Sequence, residues 1–187
     1  LIYRVRFPGV LTKYCNMIKY SKPVKFRFVV LDDNDNILEV LYEYKKEFEL
    51  PDDFVVALKN QKNLVILHFG AVDQKATVFV NDIFVGSHLG GYLPFSFDIT
   101  DYLENCSEKQ KITLMAEDNL NHFFPYGKQK KNRGGMWYTP VSGIWQTVWM
   151  EIVPEIYISK IKILPDTKGF NLFVETTDTT ECKNDEL

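Results

Sequence analysis

The sequence predicts an all-β protein in which short strands form a two-sheet sandwich, of the jelly-roll or immunoglobulin type. Segments rich in Val, Ile, Phe, Tyr and Thr recur along the 187 residues, and Gly, Pro, Asn or Asp separates them. No long stretch has the apolar spacing of a helix. Hydrophobic residues make up 45% of the chain, so a sizeable core can be buried. The length suits one domain with part of a second.

Nine segments have the composition and length of strands, and they follow one another along most of the chain. They cover residues 26–31, 39–50, 64–70, 76–81, 94–99, 111–118, 143–153, 157–164 and 169–176. The clearest hairpin spans residues 78–86, because Asn81 and Asp82 tolerate the positive φ of a tight two-residue turn. Asp98 and Thr100 can each cap or turn the backbone that follows them.

Prolines mark the predicted domain boundary, which falls near Pro154 or directly after Pro165. Beyond Pro165 the sequence predicts one further strand, and residues 176–187 are polar and acidic. Such a tail cannot bury a core of its own. We therefore expect one domain over residues 1–165, and the start of a second domain, cut off before it closes, over residues 166–187.

The charge balance and the length of the apolar runs exclude two classes of partner. The chain has 22 Lys and Arg residues against 25 Asp and Glu residues, a formal net charge of -3. Binding to nucleic acid needs a basic surplus that neutralises phosphates, so no nucleic-acid partner is expected. No apolar run approaches the roughly 20 residues that span a bilayer, so no membrane partner is expected either.

The cysteines and histidines form no metal or redox motif. The three cysteines are an odd number at wide spacing, which does not suit a disulfide framework. Three free thiols are typical of a reducing compartment, so the expectation leans towards the cytoplasm. The three histidines lack the spacing of a zinc site, and neither a metal nor any other cofactor is expected. The cysteines are Cys15, Cys106 and Cys182.

The segment between Asp118 and Val148 is the candidate functional region. It is longer than a usual loop, and its aromatic side chains argue against disorder. Aromatic rings stack on the C–H face of a sugar, while amides, carboxylates and cations bind its hydroxyls. The alternative is that these rings only pin the loop onto the sandwich. The candidate carbohydrate-binding residues are Asp118, Asn119, His122, Lys128, Gln129, Arg133, Trp137 and Tyr138.

Charged groups in this region point to no acid/base chemistry. Glu117 and Asp118 are adjacent on a predicted strand, so their side chains face opposite ways and cannot flank one glycosidic bond. A short basic run allows an anion or carboxylate contact, although a solvated face or a domain contact is the favoured interpretation. This run comprises Lys128, Lys130, Lys131 and Arg133.

Several blocks of sequence, taken in order, carry a family resemblance. These blocks are residues 69–81, 85–92, 94–100, 127–129 and 137–149. Together they resemble the N-terminal sugar-binding domain of glycoside hydrolase family 2, which includes β-galactosidases, β-glucuronidases and β-mannosidases. The resemblance covers roughly residues 40–165 and extends over several motifs rather than one.

The resemblance implies a jelly-roll β-sandwich of the galactose-binding-domain type. It also implies that an immunoglobulin-like sandwich and then a (β/α)8 barrel follow, and that this barrel holds both catalytic glutamates. The parent protein would be a retaining exo-β-glycosidase that hydrolyses O-glycosyl bonds, and this chain would hold no catalytic residue. The implied partners are a β-glycoside, the parent's own two further domains and, in the parent, further copies of itself.

Two departures from the family pattern limit this interpretation. Residues 133–137 lack the carboxylate that some members place before the aromatic residue, so no carboxylate contact to substrate or to a cation is expected at that point. Residues 1–38 do not follow the expected leader.

Trp145 and Trp149 are predicted on one face of one strand, as core or domain-interface residues. A stand-alone carbohydrate-binding module and a purely structural docking domain remain as alternatives.

Overall fold

A computed structural model describes residues 2–5, 24–31, 37–59, 63–103, 109–130 and 134–178. The three cysteines and Arg133 lie outside these residues, so the predictions for them stay predictions. The helical elements are α1 (Asp52–Leu58) and a 3-10 turn at Thr100–Tyr102. In chain order, the strands are β1 (Ile2–Val5), β2 (Val24–Leu31), β3 (Ile37–Phe48), β4 (Asn63–Phe69), β5 (Val72–Asp73), β6 (Lys75–Val80), β7 (Ile83–Leu89), β8 (Phe95–Asp98), β9 (Gln110–Glu117), β10 (Gly143–Ile144), β11 (Val148–Pro154), β12 (Ile158–Pro165) and β13 (Phe170–Thr176).

Two antiparallel sheets form the body of the protein. The larger has the strand order β2-β3-β9-β6-β7, and the smaller has the order β1-β11-β4-β8. Two further pairs, β10 with β5 and β12 with β13, are also antiparallel. The structure therefore confirms the prediction of a mostly β protein built from antiparallel sheets.

The inner faces of both sheets supply one hydrophobic core. Tyr44 and Leu114 enter it from the larger sheet, and Leu67 and Met150 enter it from the smaller one, all fully buried. Burying one such side chain contributes roughly 1.5–3 kcal/mol, so this shared cluster holds the two sheets together. Helix α1 adds buried Phe54 to the same cluster, although the helix is too short to leave a periodic signal in the sequence.

The predicted hairpin is confirmed and joins β6 to β7. Asn81 and Asp82 have φ values of 49° and 64°, as a two-residue hairpin turn requires. The Asn81 side-chain amide donates to the Tyr102 carbonyl (2.9 Å) and to Gln110 (2.8 Å), and its oxygen accepts from the backbone of Lys111 (2.8 Å). The turn is therefore tied to the neighbouring strand β9.

The prediction of one strand over residues 143–153 is wrong, because this segment forms two strands in different sheets. Strand β10 pairs with β5, whereas β11 pairs with β4 in the smaller sheet. Trp145 lies in the break between them, is 41% exposed and donates its indole N–H to the Gly91 carbonyl at 2.7 Å. It is therefore outside the core of this domain. Trp149, on β11, stacks on His68 with ring centroids 4.8 Å apart.

Strands β12 and β13 form a hairpin that, in the described part of the chain, pairs only with itself. Its register places Ile161 opposite Val174 and Ile163 opposite Leu172, which gives one apolar face. All four of these side chains are exposed. The predicted boundary between residues 165 and 166 falls at the turn of this hairpin.

Among the described glycines, Gly143 is the one where an added Cβ atom would make the shortest contact. Its φ is +92°, and a Cβ atom there would overlap the Tyr44 hydroxyl. Tyr44 is fully buried, and burial raises the pKa of its phenol, an effect that a backbone hydrogen bond from Ile144 partly offsets. Only glycine combines this backbone conformation with so close an approach.

We expect Gly143→Ala to lower the free energy of unfolding by on the order of 3 kcal/mol or more, because backbone strain and steric overlap add. Urea unfolding measures this change. Gly169→Ala is the matched control, since no atom lies within 4 Å of a Cβ at Gly169. Equal unfolding midpoints for the two variants would contradict the prediction.

Candidate functional site

The long loop between β9 and β10 covers residues 118–142, and one carboxylate closes its base. Asp118, only 6% exposed, accepts a hydrogen bond from the Ser142 hydroxyl at 2.7 Å and one from the Leu120 amide at 2.9 Å. These bonds join the first and last residues of the loop. Asp118 therefore holds the two ends of the loop together.

A second buried carboxylate, Asp73, lies beside this base. Strand pairing places it opposite Gly143, and a Cβ atom at Gly91 would overlap its Oδ1. Burial and, to a smaller extent, the negative charge of Asp118 together raise the pKa of the Asp73 carboxyl from its ordinary value of 3.8 to about 6. The neutral form of Asp73 therefore persists to a higher pH in the folded protein than in the unfolded chain.

Within the loop, the amide of Gln129 holds two segments together. Its Nε2 donates to the Tyr126 carbonyl at 2.8 Å, and its Oε1 accepts from the Val141 amide at 2.5 Å. Backbone bonds support the same alignment, because Tyr138 donates to the Lys128 carbonyl at 2.8 Å and Lys130 donates to the Tyr138 carbonyl at 3.3 Å. The two arms of the loop, residues 126–130 and 138–141, are thus held in register.

These contacts form a cleft of about 510 Å³ on the loop surface. His122 stacks on Tyr126 with ring centroids 4.8 Å apart and planes 10° from parallel. Across the cleft, the Lys130 ammonium lies 5.7 Å from the centroid of the Trp137 ring, within range of a cation–π contact. The cleft is lined by Asn119, Leu120, His122, Tyr126, Gln129, Lys130 and Trp137.

The predicted candidates separate into two groups in this structure. Asn119, His122, Gln129 and Trp137 come together at the cleft. The cleft lining does not include the other described candidates, Asp118, Lys128 and Tyr138. Asp118 is instead turned inward at the base of the loop, and Lys128 and Tyr138 are exposed on the surface of the loop.

Sequence reasoning missed three lining residues and one neighbour of the loop base. The sequence marks Tyr126 only as an aromatic residue of the loop and Lys130 only as a member of the basic run. Leu120 has no sequence feature that predicts a place in a binding site. Their place at the cleft follows from the pairing of Gln129 with Tyr138, which joins residues nine apart. Asp73 was missed as well, because nothing in the local sequence brings it next to Asp118.

The described residues include neither a candidate metal site nor a membrane-spanning helix. No group of three or more His, Cys, Asp or Glu side chains there could hold a metal ion. Within the same residues, no helix is long and apolar enough to cross a membrane.

The fold and the loop define an antiparallel β-sandwich domain with a cleft on its longest loop. The profile of glycosyl hydrolases family 2, sugar binding domain, matches residues 9–153. A β-galactosidase of Thermoanaerobacter pseudethanolicus is 30% identical over 123 residues, which are 66% of this chain and 15% of that protein. A β-glucuronidase of Formosa agariphila is 27% identical over 131 residues, which are 68% of this chain and 12% of that protein.

Solved structures agree with these relatives. The match to the apo structure of a β-glucuronidase from Ruminococcus gnavus covers 74% of this chain and 24% of the solved chain, at 25% identity and a TM-score of 0.57. The chain therefore belongs to glycoside hydrolase family 2, and the matched region is the sugar-binding domain. It spans about an eighth of the length of the two relatives, within their N-terminal part, and contains no catalytic domain.

Asp73 makes the stability of the loop base depend on pH. Its pKa is higher in the folded protein than in the unfolded chain, so the contribution of Asp73 to the unfolding free energy is greatest below pH 4 and is lost as the pH rises through about 6. We expect Asp73→Asn to remove this fall and to stabilise the protein at pH 7 by up to about 3 kcal/mol.

Thermal unfolding between pH 4 and pH 7 measures the effect. Asp101→Asn, at an exposed position on the surface, is the control and should keep the wild-type pH profile. Parallel profiles for Asp73→Asn and the wild type would show that the Asp73 charge is not linked to folding.

Proposed function

We propose that this chain is the non-catalytic domain of a larger retaining exo-β-glycosidase, and that its cleft contacts the sugar. The observation that carries the proposal is the cleft itself, in which Trp137 and Tyr126 offer aromatic faces next to the polar side chains of Asn119 and Lys130. Aromatic faces beside hydrogen-bonding groups match a sugar ring, which has apolar C–H faces and a polar edge. Membership of the sugar-binding family supports the same assignment.

In this proposal Asp118 and Gln129 are positioning residues, because their polar atoms bond to other parts of the loop. Lys128 and Tyr138, which are exposed on the same loop, remain proposed contacts, as does Arg133, which lies outside the described residues. Asn119 and His122 line the cleft and are proposed to contact hydroxyl groups of the sugar.

The catalytic glutamates of the parent would lie in a (β/α)8 barrel outside this chain. The small share of each relative that the chain covers supports this division, since those proteins carry the names β-galactosidase and β-glucuronidase. The sandwich would have jelly-roll topology and would present its loop to the mouth of the barrel. Copies of the parent would associate with one another, and the domain would use no cofactor.

The hairpin of β12 and β13 supports a following immunoglobulin-like domain. Two strands alone are marginally stable, and this pair leaves an apolar face exposed, so further strands would cover it. The family match ends at residue 153, before the hairpin begins. Both observations favour a domain boundary near residues 155–157 over the boundary after residue 165.

A structural docking domain is the second candidate. The exposed apolar face of the hairpin favours it, because a docking domain needs a contact surface but no sugar affinity. A stand-alone carbohydrate-binding module is the third candidate, and it differs from the first in binding sugar without a barrel.

Removing the indole of Trp137 should weaken sugar binding. We expect Trp137→Ala to raise the Kd of the chain for methyl β-D-glycosides about tenfold, or about 1.4 kcal/mol, through loss of stacking. Titration with the galactoside, glucoside, glucuronide and mannoside, followed by NMR, measures this change. Phe123→Ala is the control, because Phe123 is 93% exposed on the same loop and does not line the cleft. Equal Kd values for both variants would remove the cleft from the sugar site.

The chain should not hydrolyse 4-nitrophenyl β-glycosides, because its family match is to the sugar-binding domain and the catalytic glutamates are proposed to lie in a barrel outside this chain. Release of 4-nitrophenol under conditions where a family 2 glycosidase is active measures this. Turnover by the purified chain that a substitution within it abolishes would contradict the non-catalytic assignment.

A further inference from the structure

The charged residues are distributed unevenly along the sequence. Between Asp118 and Glu151 the sequence has no Asp or Glu, although the whole chain has 25 of them. The same interval has four cations, which leaves 18 basic against 25 acidic residues elsewhere. The sequence of the loop is therefore basic, although the chain as a whole is acidic. These cations are Lys128, Lys130, Lys131 and Arg133.

Among these cations, Lys130 is the one that the structure places in the cleft wall. The backbone bond from Lys130 to Tyr138 holds the two arms together, and the ammonium lies 5.7 Å from the Trp137 ring centroid. In the part of the chain that the structure describes, Lys130 has no ion pair. Its charge is therefore not neutralised by a neighbouring carboxylate.

The nearest acid along the chain is kept out of the cleft. Asp118 immediately precedes the lining residue Asn119, yet its two carboxylate oxygens accept from Ser142 and from the Leu120 amide. The described lining contains no carboxylate, and Lys130 is its only side chain with a permanent charge. An anion in the cleft would meet a cation without a competing acid, and salt would screen that attraction because Lys130 is exposed.

We propose that the cleft selects saccharides that carry an anionic group, a carboxylate or a sulfate ester, and that Lys130 contacts this group while Trp137 stacks on the sugar ring. The inference rests on the proposed sugar-binding function and adds the charge of the ligand. Lys130 is then a specificity-determining residue. A polyanion such as nucleic acid fits less well, because the remainder of the surface is acidic and would repel an extended phosphate backbone.

Three glycosides that differ only at C6 test the proposal: methyl β-D-glucoside, methyl β-D-glucuronide and methyl β-D-glucoside 6-sulfate. We expect both charged glycosides to bind the full chain roughly tenfold more tightly than the neutral one in dilute buffer. Raising the salt concentration should reduce this preference. Titrations by NMR give the three Kd values, and the ratio of the two charged ligands identifies which anion is preferred.

Lys130→Gln should bring the three Kd values together, with little change for the neutral glucoside. Lys168→Gln removes the same charge from an exposed position on the hairpin turn and should keep the preference. Equal Kd values for charged and neutral glycosides in the wild type would overturn the charge inference and leave the sugar role intact. Binding of none of them, or equal binding of sodium sulfate alone, would overturn the proposed function as well.

Discussion

The geometry of the candidate site depends on a single buried carboxylate, that of Asp118. A loop of 25 residues must bring its ends together, and the entropy cost of that closure is offset where β9 ends and β10 begins. Asp118 binds Ser142 on one side and the Leu120 amide on the other. Because its oxygens are satisfied inside the protein, the carboxylate organises the loop and stays out of the cleft.

That arrangement has an electrostatic consequence at the loop base. Asp73 is buried beside Asp118, and the resulting repulsion and desolvation raise its pKa to about 6. The ionised form of Asp73 therefore costs stability at the base of the loop, within a sandwich whose core is otherwise apolar.

Much of the scaffold could be predicted from local chemistry. The turn at Asn81 and Asp82 needs a positive φ that few residues adopt, and the turn at Thr100 forms with Asp98 accepting from its amide at 3.0 Å. The prediction of one strand over residues 143–153 is wrong because the two parts of this segment pair with different strands. Gly143 and Ile144 pair with β5 rather than with the sheet of β11, and no pattern along the chain encodes that partner.

By itself, the sequence determined most of the strands, the tight turns and the loop that carries the candidate site, because each of these is set by residues close together in the chain. It also determined the family, through several blocks that follow one another in order. Only the tertiary structure decided which way the loop side chains point. A loop has no regular period, so alternation could not predict that Asp118 turns inward while Lys130 faces the cleft. Contacts between distant residues, such as Gln129 with Val141 and Asp73 with Gly143, made that decision.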